Sequence, residues 1–502
     1  MPRGFLKMLA PHMIVGLSGP RLQKEERDLL SEYPFRGVIL FDRNVTDARS
    51  LMELTREIRT VFGEAHGVVP LIAADHEGGI ISVLGRAIGV PPTQMAVART
   101  REKDLCERLF AENARRLRAS GVNMLLGPVA DVNSDPRNPV IGTRSFGEDF
   151  ETVSLLVSSA VSAARREGVL TCIKHFPGHG PSPVDSHRAL PVLEATLEQL
   201  KERHIPPFAS GIAAGAETVM IAHVAPLGRR LPASLDPEII GRVLRGELGF
   251  GGVVITDALD MEGVKVAGLG EVCVRALEAG NDILLFPKSV SEVADQLEDA
   301  WLSAGGEGLR GLLSADALKP SLARIQNLLD IAAKREREFE LPADPGVYDE
   351  IAAKSIHISR GADPAPRIEP ERGLSAVFYA GEGEFDRYAL KSFISRALEG
   401  LGARGQSDEP ERLSAAPAGV RGLDARVLSS RGERGPFDIA FFLNRGPIEP
   451  ETVRSLSSEA RIVVVAGWPY ARESIPRDKT VITTYGIYEA AAEAVGKSIL
   501  EL

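Results

Sequence analysis

Short apolar runs recur along the first two-thirds of this 502-residue chain, and segments with helical periodicity separate them. Eight runs are present: Met13–Leu17, Gly37–Phe41, Val69–Ala74, Asn123–Pro128, Val169–Lys174, Thr218–Ala222, Gly252–Thr256 and Asp282–Phe286. The helical segments include Asp47–Glu64, Glu102–Ala119, Phe150–Arg166, Leu197–Ala214, Pro237–Leu248 and Glu271–Ala279. Apolar runs that alternate with amphipathic helices indicate a parallel sheet with crossover connections. Eight consecutive units favour an α/β fold of the closed (β/α)8, TIM-like type over an open sheet.

The chain is long enough for two hydrophobic cores, and its character changes after about residue 335. A charged segment at 334–338 and a Pro/Asp segment at 341–345 predict the end of a helix and a linker. Further apolar runs follow at Ser375–Ala380, Asp438–Leu443, Arg461–Ala466 and Thr480–Thr484, with helical patterns at 386–400 and 488–500. We therefore predict a barrel domain over 1–340 and a smaller α/β sandwich domain over 341–502. The stretch 402–435 is rich in Arg, Gly, Ser and Glu and is expected to form exposed connections.

The composition excludes several classes of protein. A net charge of -10 argues against nucleic-acid binding, which depends on neutralising phosphates. No segment approaches the roughly 20 apolar residues needed to cross a bilayer, and the N-terminal residues do not have the pattern of a secretory signal. The three cysteines are odd in number and lie in apolar or helical contexts, so we expect buried free thiols. These observations predict a cytoplasmic protein.

Polar residues follow the apolar runs at the positions where a barrel enzyme assembles its site. They are Asp75, Asp131, Lys174, His175, His223 and Asp257. In a (β/α)8 barrel the carboxyl ends of all strands meet at one face, and active sites are built there from several strands. A single Asp after a strand is usually a turn or capping residue. Repetition of the same placement after five runs favours a shared site instead.

The segment 174–187 concentrates residues that can transfer protons. It reads Lys174-His175-Phe176-Pro177-Gly178-His179-Gly180 and then, after four further residues, ends in Asp185-Ser186-His187. Its prolines and glycines exclude a regular helix, which predicts a stiff, irregular loop. A polar loop at the exit of a buried strand is a frequent location for catalytic groups in α/β enzymes.

Four motifs together resemble the β-N-acetylglucosaminidases of glycoside hydrolase family 3. They are ADHEGG at 74–79, KHFPGHG at 174–180, DSH at 185–187 and ITDALDMEGV at 255–264. The resemblance extends over roughly residues 10–335 and is strongest to the NagZ-type branch, which trims cell-wall muropeptides. It implies a β-N-acetylhexosaminidase that acts on N-acetylglucosamine-containing saccharides in peptidoglycan turnover, without a metal or other cofactor.

The resemblance also implies roles for individual residues. Asp257 would be the catalytic nucleophile, and His187 the general acid/base with Asp185 as its partner. Retaining glycosidases need a carboxylate and a proton donor on either side of the scissile bond, and a histidine can donate and then accept a proton near neutral pH. The positions that match sugar-binding residues of the family are Asp75, Arg144, Lys174 and His175.

The sequence is also compatible with other functions. A broader family 3 β-glycosidase is one alternative, and an N-acetylglucosaminide phosphorylase is another, because a neutral histidine repels phosphate less than a glutamate does. A metal-dependent hydrolase could use His175, His179, His187 and Asp185 as zinc ligands. The scaffold could also serve a binding protein without catalysis, although both implied catalytic residues are present.

A few positions have two interpretations. Val83 stands where the family commonly has a sugar-binding arginine, which Arg86 could replace through a shift of the loop. His179 could support its loop or contact a ligand, and Asp260 could be a loop carboxylate or a substrate contact. His223 could line the cavity or close a hydrogen bond in the core.

Overall fold

A computed structural model shows how these segments fold. It describes residues 4–182, 190–265, 267–303, 315–336, 344, 346–359, 375–380, 393, 396–397, 424–428, 437–443, 450–458, 460–467, 469–486 and 488–500. The implied catalytic residues Asp185 and His187 lie outside these described residues.

The first two-thirds of the chain form a closed barrel of eight parallel strands. Each strand pairs with its neighbours in the chain, and the first pairs with the eighth. The strands, first to eighth, are Met13–Gly16, Gly37–Leu40, Leu71–Ala74, Met124–Leu125, Leu170–Phe176, Thr218–Ile221, Val253–Ala258 and Ile283–Ser289. The predicted (β/α)8 barrel and all eight of its predicted strands are confirmed.

Two strand ends differ from the prediction in a way that matters for the site. The fifth strand continues to Phe176 and the seventh to Ala258, because backbone pairing with the sixth and eighth strands continues to these residues. Lys174, His175 and Asp257 therefore lie within strands instead of in the loops after them.

Helices surround the barrel. They are Gly4–Leu9, Lys24–Glu32, Ala48–His66, Gly85–Ile88, Gln94–Thr100, Lys103–Ala119, Phe150–Arg166, Leu197–Arg203, Pro206–Ala213, Glu238–Glu247 (a π-helix), Leu269–Glu278, Val290–Ser303 and Ala315–Glu336. The single helix predicted over Leu197–Ala214 is wrong, since two helices occupy that stretch. Pro206 and Pro207 lack the backbone N–H groups that a continuous helix would need, and Pro206 instead begins the second helix.

Apolar side chains fill the inside of the barrel. One buried cluster contains Ile14, Ile39, Ala73, Met124, Leu170, Cys172, Met220, Ile255 and Ile283 from the strands. The same cluster includes Ile325, Leu328 and Leu329 of the helix Ala315–Glu336. This helix therefore closes the end of the barrel away from the carboxyl ends of the strands.

Two short strands after the third barrel strand, His76–Gly78 and Ile81–Ser82, form a small sheet of their own. The strands after the barrel form a six-stranded sheet, called here the C-terminal sheet. In spatial order they are His357–Ser359, Thr480–Thr484, Ala460–Ala466, Phe437–Leu443, Ser375–Ala380 and Asp424–Leu428. Only the first pairs antiparallel to its neighbour. The described helices of this region are Val347–Ser355, Pro450–Ser458, the short 3-10 helix Pro469–Ser474 and Glu489–Leu500.

The expectation that 402–435 forms only exposed connections is wrong, because Asp424–Leu428 is a strand. Among the described strands it lies at the edge of the sheet and pairs with Ser375–Ala380 alone. An edge strand can keep a polar sequence because one of its sides is not enclosed by another strand.

The domain boundary at residue 340 stays a prediction, since 337–343 lie outside the described residues.

Two expectations from composition can be compared with the structure. Cys106, Cys172 and Cys273 are all buried and free, as expected. Within the described part of the chain, no helix combines the length and apolar character that crossing a membrane requires.

Candidate active site

The carboxyl ends of the barrel strands surround a cavity of about 350 Å³. Every predicted site residue that the structure describes lines it: Asp75, Arg144, Lys174, His175 and Asp257. They come from the third, fifth and seventh strands and from the connection after the fourth strand. Of the six polar residues predicted after apolar runs, Asp75, Lys174, His175 and Asp257 line the cavity, whereas Asp131 and His223 do not.

Lys174 is a buried cation held between two carboxylates. Its Nζ donates to Asp75 Oδ1 at 2.5 Å and lies 2.6 Å from Glu77 Oε1. Only 3% of its side chain is exposed. Burial alone would lower the pKa of Lys174, but Asp75 and Glu77 outweigh burial and raise it, so the ammonium group stays charged.

Arg144 binds the same glutamate from another side. Its Nε donates to Glu77 Oε2 at 2.7 Å and its Nη2 to Oε1 at 2.8 Å, which is a bidentate pair. Burial would raise the pKa of Glu77, yet the charges of Arg144 and Lys174 hold it well below its usual range. One ionised carboxylate therefore fixes two cations in the cavity wall.

The hydrogen bonds of His175 define its tautomer. Arg144 Nη2 lies 3.2 Å from His175 Nε2, and a guanidinium can only donate, so Nε2 accepts. The proton is then on Nδ1, which donates to Asp131 Oδ2 at 2.6 Å. Because both ring nitrogens are engaged, this arrangement leaves His175 without a free lone pair for the zinc site considered from sequence.

Asp131 is fully buried and joins the fifth strand to the loop after it. It accepts the backbone N–H of His175 at 3.1 Å and that of His179 at 2.6 Å. Burial would raise the pKa of Asp131, but its contact with His175 lowers it below the ordinary value. His179 also lines the cavity, and burial lowers its pKa to about 4, so its ring is neutral at pH 7.

The consecutive residues Lys174 and His175 both line the cavity, although successive side chains of a regular strand face opposite sides. The pairing register with the sixth strand shifts between Ile173 and Phe176. This irregularity explains how two neighbouring side chains reach the same space.

Asp257 presents its carboxylate from the seventh strand, where its Oδ1 accepts the N–H of Ala258 at 2.8 Å. His223 supports the same strand end. Since the Ala258 carbonyl can only accept, His223 Nε2 donates to it at 3.0 Å, and Nδ1 accepts the hydroxyl of Ser234 at 2.7 Å. Of the two interpretations left open for His223, the structure supports the hydrogen bond in the core. Asp260, in contrast, lines the cavity.

Val83 does not take part in the cavity wall. It packs against the hydrophobic core, and its backbone N–H donates to the Asp75 carbonyl at 3.1 Å. Arg86 is exposed and is also not among the described residues that line the cavity. The arginine that lines the cavity in the described part of the chain is Arg144, which comes from the connection after the fourth strand.

Two residues of the site have roles that the sequence did not predict. Glu77 lies inside the ADHEGG motif, two residues after Asp75, and the sequence indicates Asp131 only as a polar residue after a strand. Both act on other side chains, Glu77 on Lys174 and Arg144, and Asp131 on His175. The acidic pair in the motif was the one signal that could have identified Glu77.

The sequence was also compared with known families and curated proteins. Residues 6–328 match the model of the glycosyl hydrolase family 3 N-terminal domain. The β-hexosaminidase of Stenotrophomonas maltophilia is 34% identical over 316 residues, which are 61% of this chain and 92% of that protein. β-Hexosaminidase A of Pseudoalteromonas piscicida is 32% identical over 61% of this chain, but the match spans only 55% of that protein's length.

Among solved structures, a family 3 β-N-acetylglucosaminidase from Paenibacillus sp. superposes with a TM-score of 0.83 at 26% identity. The superposition covers 99% of this chain and 96% of that chain, so the similarity includes the C-terminal sheet.

Proposed function

This chain belongs to glycosyl hydrolase family 3, and we propose that it is a retaining exo-β-N-acetylglucosaminidase with Asp257 as the nucleophile. The observation that carries the proposal is the cavity itself. Asp257 lines the cavity together with the two cations Lys174 and Arg144 and with His175. The cavity lies at the face of the barrel where (β/α)8 enzymes have their active sites. The named activities of the β-hexosaminidase relatives and of the Paenibacillus structure support the same substrate class.

In the proposed first step, an oxygen of Asp257 attacks the anomeric carbon while the bond to the leaving-group oxygen breaks. His187, protonated and paired with Asp185, gives its proton to that oxygen. In the second step His187 takes a proton from water, whose oxygen displaces Asp257 from the anomeric carbon with retention of configuration. The assignments of His187 and Asp185 rest on the sequence resemblance, because both lie outside the described residues.

The sugar ring would be held by fixed polar groups. Lys174 and Arg144 offer N–H donors whose positions Glu77 sets before the substrate arrives, and Asp75 offers carboxylate oxygens. Preset donors and acceptors orient a ring with little loss of side-chain entropy on binding. His175 stands next to Arg144 with its tautomer fixed by Asp131.

The natural substrate proposed from the resemblance is a muropeptide or related oligosaccharide with a non-reducing terminal N-acetylglucosamine. A role in peptidoglycan turnover follows from the same resemblance, and both this role and the cytoplasmic location expected from the sequence stay predictions. Comparing cleavage of muropeptides with cleavage of chitin oligosaccharides would test the substrate. Cell fractionation would test the location.

The proposed activity is tested with chromogenic β-glycosides and the Asp257→Asn variant. We expect N-acetylglucosaminide cleavage by the wild type and a loss of about 10³-fold or more in kcat for Asp257→Asn, because the amide cannot form the glycosyl-enzyme. NMR of the first product should show the β anomer.

For His187→Ala, the rate of the first step should fall less with substrates that have good leaving groups than with those that have poor ones, because a good leaving group needs little protonation.

Several outcomes would contradict the proposal. A first product with the α anomer would exclude retention, and full activity of Asp257→Asn would exclude that nucleophile. Faster cleavage of glucosides than of N-acetylglucosaminides would favour the broader β-glycosidase. A sugar 1-phosphate formed in phosphate buffer would favour the phosphorylase.

A further inference from the structure

Arg144 is presented by residues 132–149, called here the Arg144 loop. A side chain from the C-terminal sheet contacts this loop from outside the barrel. Tyr470 lies in the 3-10 helix Pro469–Ser474, which follows the strand Ala460–Ala466. Its hydroxyl accepts a hydrogen bond from Asn133 Nδ2 at 2.8 Å and donates to Glu148 Oε1.

Asn133 ties together the two ends of the Arg144 loop. It is fully buried, and its backbone N–H donates to the Gly147 carbonyl at 2.8 Å. Its Oδ1 accepts the N–H of Gly142 at 3.2 Å. Gly142 begins the short 3-10 helix that ends at Arg144, so Asn133 supports the turn that carries the guanidinium.

Tyr470 determines which way the Asn133 amide faces. The Tyr470 hydroxyl has one proton, and an ionised Glu148 can only accept it, so the oxygen is an acceptor toward Asn133. Burial and the neighbouring Glu148 raise the pKa of Tyr470, so the phenol keeps this proton. With Nδ2 directed at Tyr470, Oδ1 is directed at Gly142.

We infer that Tyr470 is a positioning residue, through which the C-terminal sheet holds the Arg144 loop in the geometry that binds the sugar. Tyr470 is hydrogen-bonded to Asn133, and Asn133 is hydrogen-bonded to Gly142. Gly142 begins the turn that ends at Arg144, whose guanidinium binds Glu77. The inference rests on the proposed function, because it assigns to Arg144 the binding of a saccharide. It gives the C-terminal sheet a part in the site although its strands lie outside the barrel.

The test is a double-mutant cycle between Tyr470→Phe and Arg144→Lys. Tyr470→Phe removes only the hydroxyl, and we expect kcat/KM for an N-acetylglucosaminide to fall about tenfold. Arg144→Lys already lacks the two-point hydrogen bonding of the guanidinium. In that background, Tyr470→Phe should lower kcat/KM by less than about twofold. Calorimetric binding of N-acetylglucosamine gives the cycle a second readout that needs no turnover.

Thr93→Val is the matched control, because it also removes one hydroxyl at a contact between the barrel and the C-terminal sheet. Thr93 Oγ1 donates to the Tyr485 carbonyl and accepts the N–H of Ala96 at the start of the helix Gln94–Thr100, and neither partner belongs to the Arg144 loop. We expect this variant to melt at a lower temperature with unchanged kcat/KM.

Two results would overturn the inference. One is unchanged kcat/KM and binding in Tyr470→Phe, and the other is an equal loss in both backgrounds, which would indicate a general structural role. A wild type that neither cleaves nor binds N-acetylglucosaminides would instead refute the proposed function.

Discussion

Glu77 accepts hydrogen bonds from both cations of the cavity while only 1% of its side chain is exposed. Replacing it with glutamine leaves Lys174 and Arg144 buried without their shared counter-charge. Removing one partner of a buried ion pair typically costs about 3–5 kcal/mol of unfolding free energy. We therefore expect Glu77→Gln to be strongly destabilised in urea unfolding at pH 7 and to bind substrate more weakly.

The acid dependence of stability provides a second measurement on the same variant. Because the pKa of Glu77 is depressed in the folded protein, its contribution is fully present above the unfolded value and is lost as pH falls through the folded value. The wild type should thus lose stability from about pH 5 downwards, and Glu77→Gln should show a shallower loss. Glu53→Gln, which removes a partner of the exposed Arg49, is the control and should leave the unfolding midpoint unchanged. A wild-type stability equal to that of Glu77→Gln at pH 7 would contradict this role.

At the scale of elements, the loop after the fifth strand packs directly against the connection after the fourth. A Cβ at Gly180 would lie 1.7 Å from the Val132 carbonyl oxygen, so the two backbones approach as closely as only glycine allows. Asn138 strengthens this contact by donating to the carbonyls of His179 and Gly180, both at 2.9 Å.

We expect Gly180→Ala to separate the two segments, costing about 1–3 kcal/mol of stability and reducing kcat/KM, because Asp131 and His179 bridge the same segments. Urea unfolding and steady-state kinetics measure both effects. Gly241→Ala is the matched control, since nothing lies within 4 Å of its added Cβ and it occupies a helix. This change should stabilise the protein slightly, by about 0.5–1 kcal/mol. Equal stability of the two variants would show that the close approach is unimportant.

The sequence predicted the barrel because each of its strands is enclosed on both faces and is therefore apolar along most of its length. The edge strand Asp424–Leu428 was not predicted, because none of the described strands encloses its second side and its sequence can stay polar. In the site, Lys174, His175 and Asp257 could be predicted because they stand at strand ends in motifs. Glu77 and Asp131 could not be assigned roles, since they act by holding other side chains, and those contacts join residues far apart in sequence.

At the scale of the whole molecule, the two ends of the barrel have different roles. The cavity opens at the carboxyl ends of the strands, and the helix Ala315–Glu336 packs on the inner apolar cluster at the opposite end. On the helix, Leu328 is 2% exposed and contributes to that cluster. A change at the helix end should therefore lower stability without altering catalysis.

Leu328→Ala tests this separation. Truncating a buried leucine to alanine leaves a cavity and typically costs about 2–5 kcal/mol of unfolding free energy. We expect a lower urea midpoint but an unchanged kcat when activity is measured well below the melting temperature, because no polar group of the site contacts the helix among the described residues. Asn327→Ala, at an exposed neighbouring position, should change neither quantity. A lower kcat of Leu328→Ala, in a sample shown by circular dichroism to be fully folded, would contradict this separation. It would show that packing at one end of the barrel affects the site at the other end.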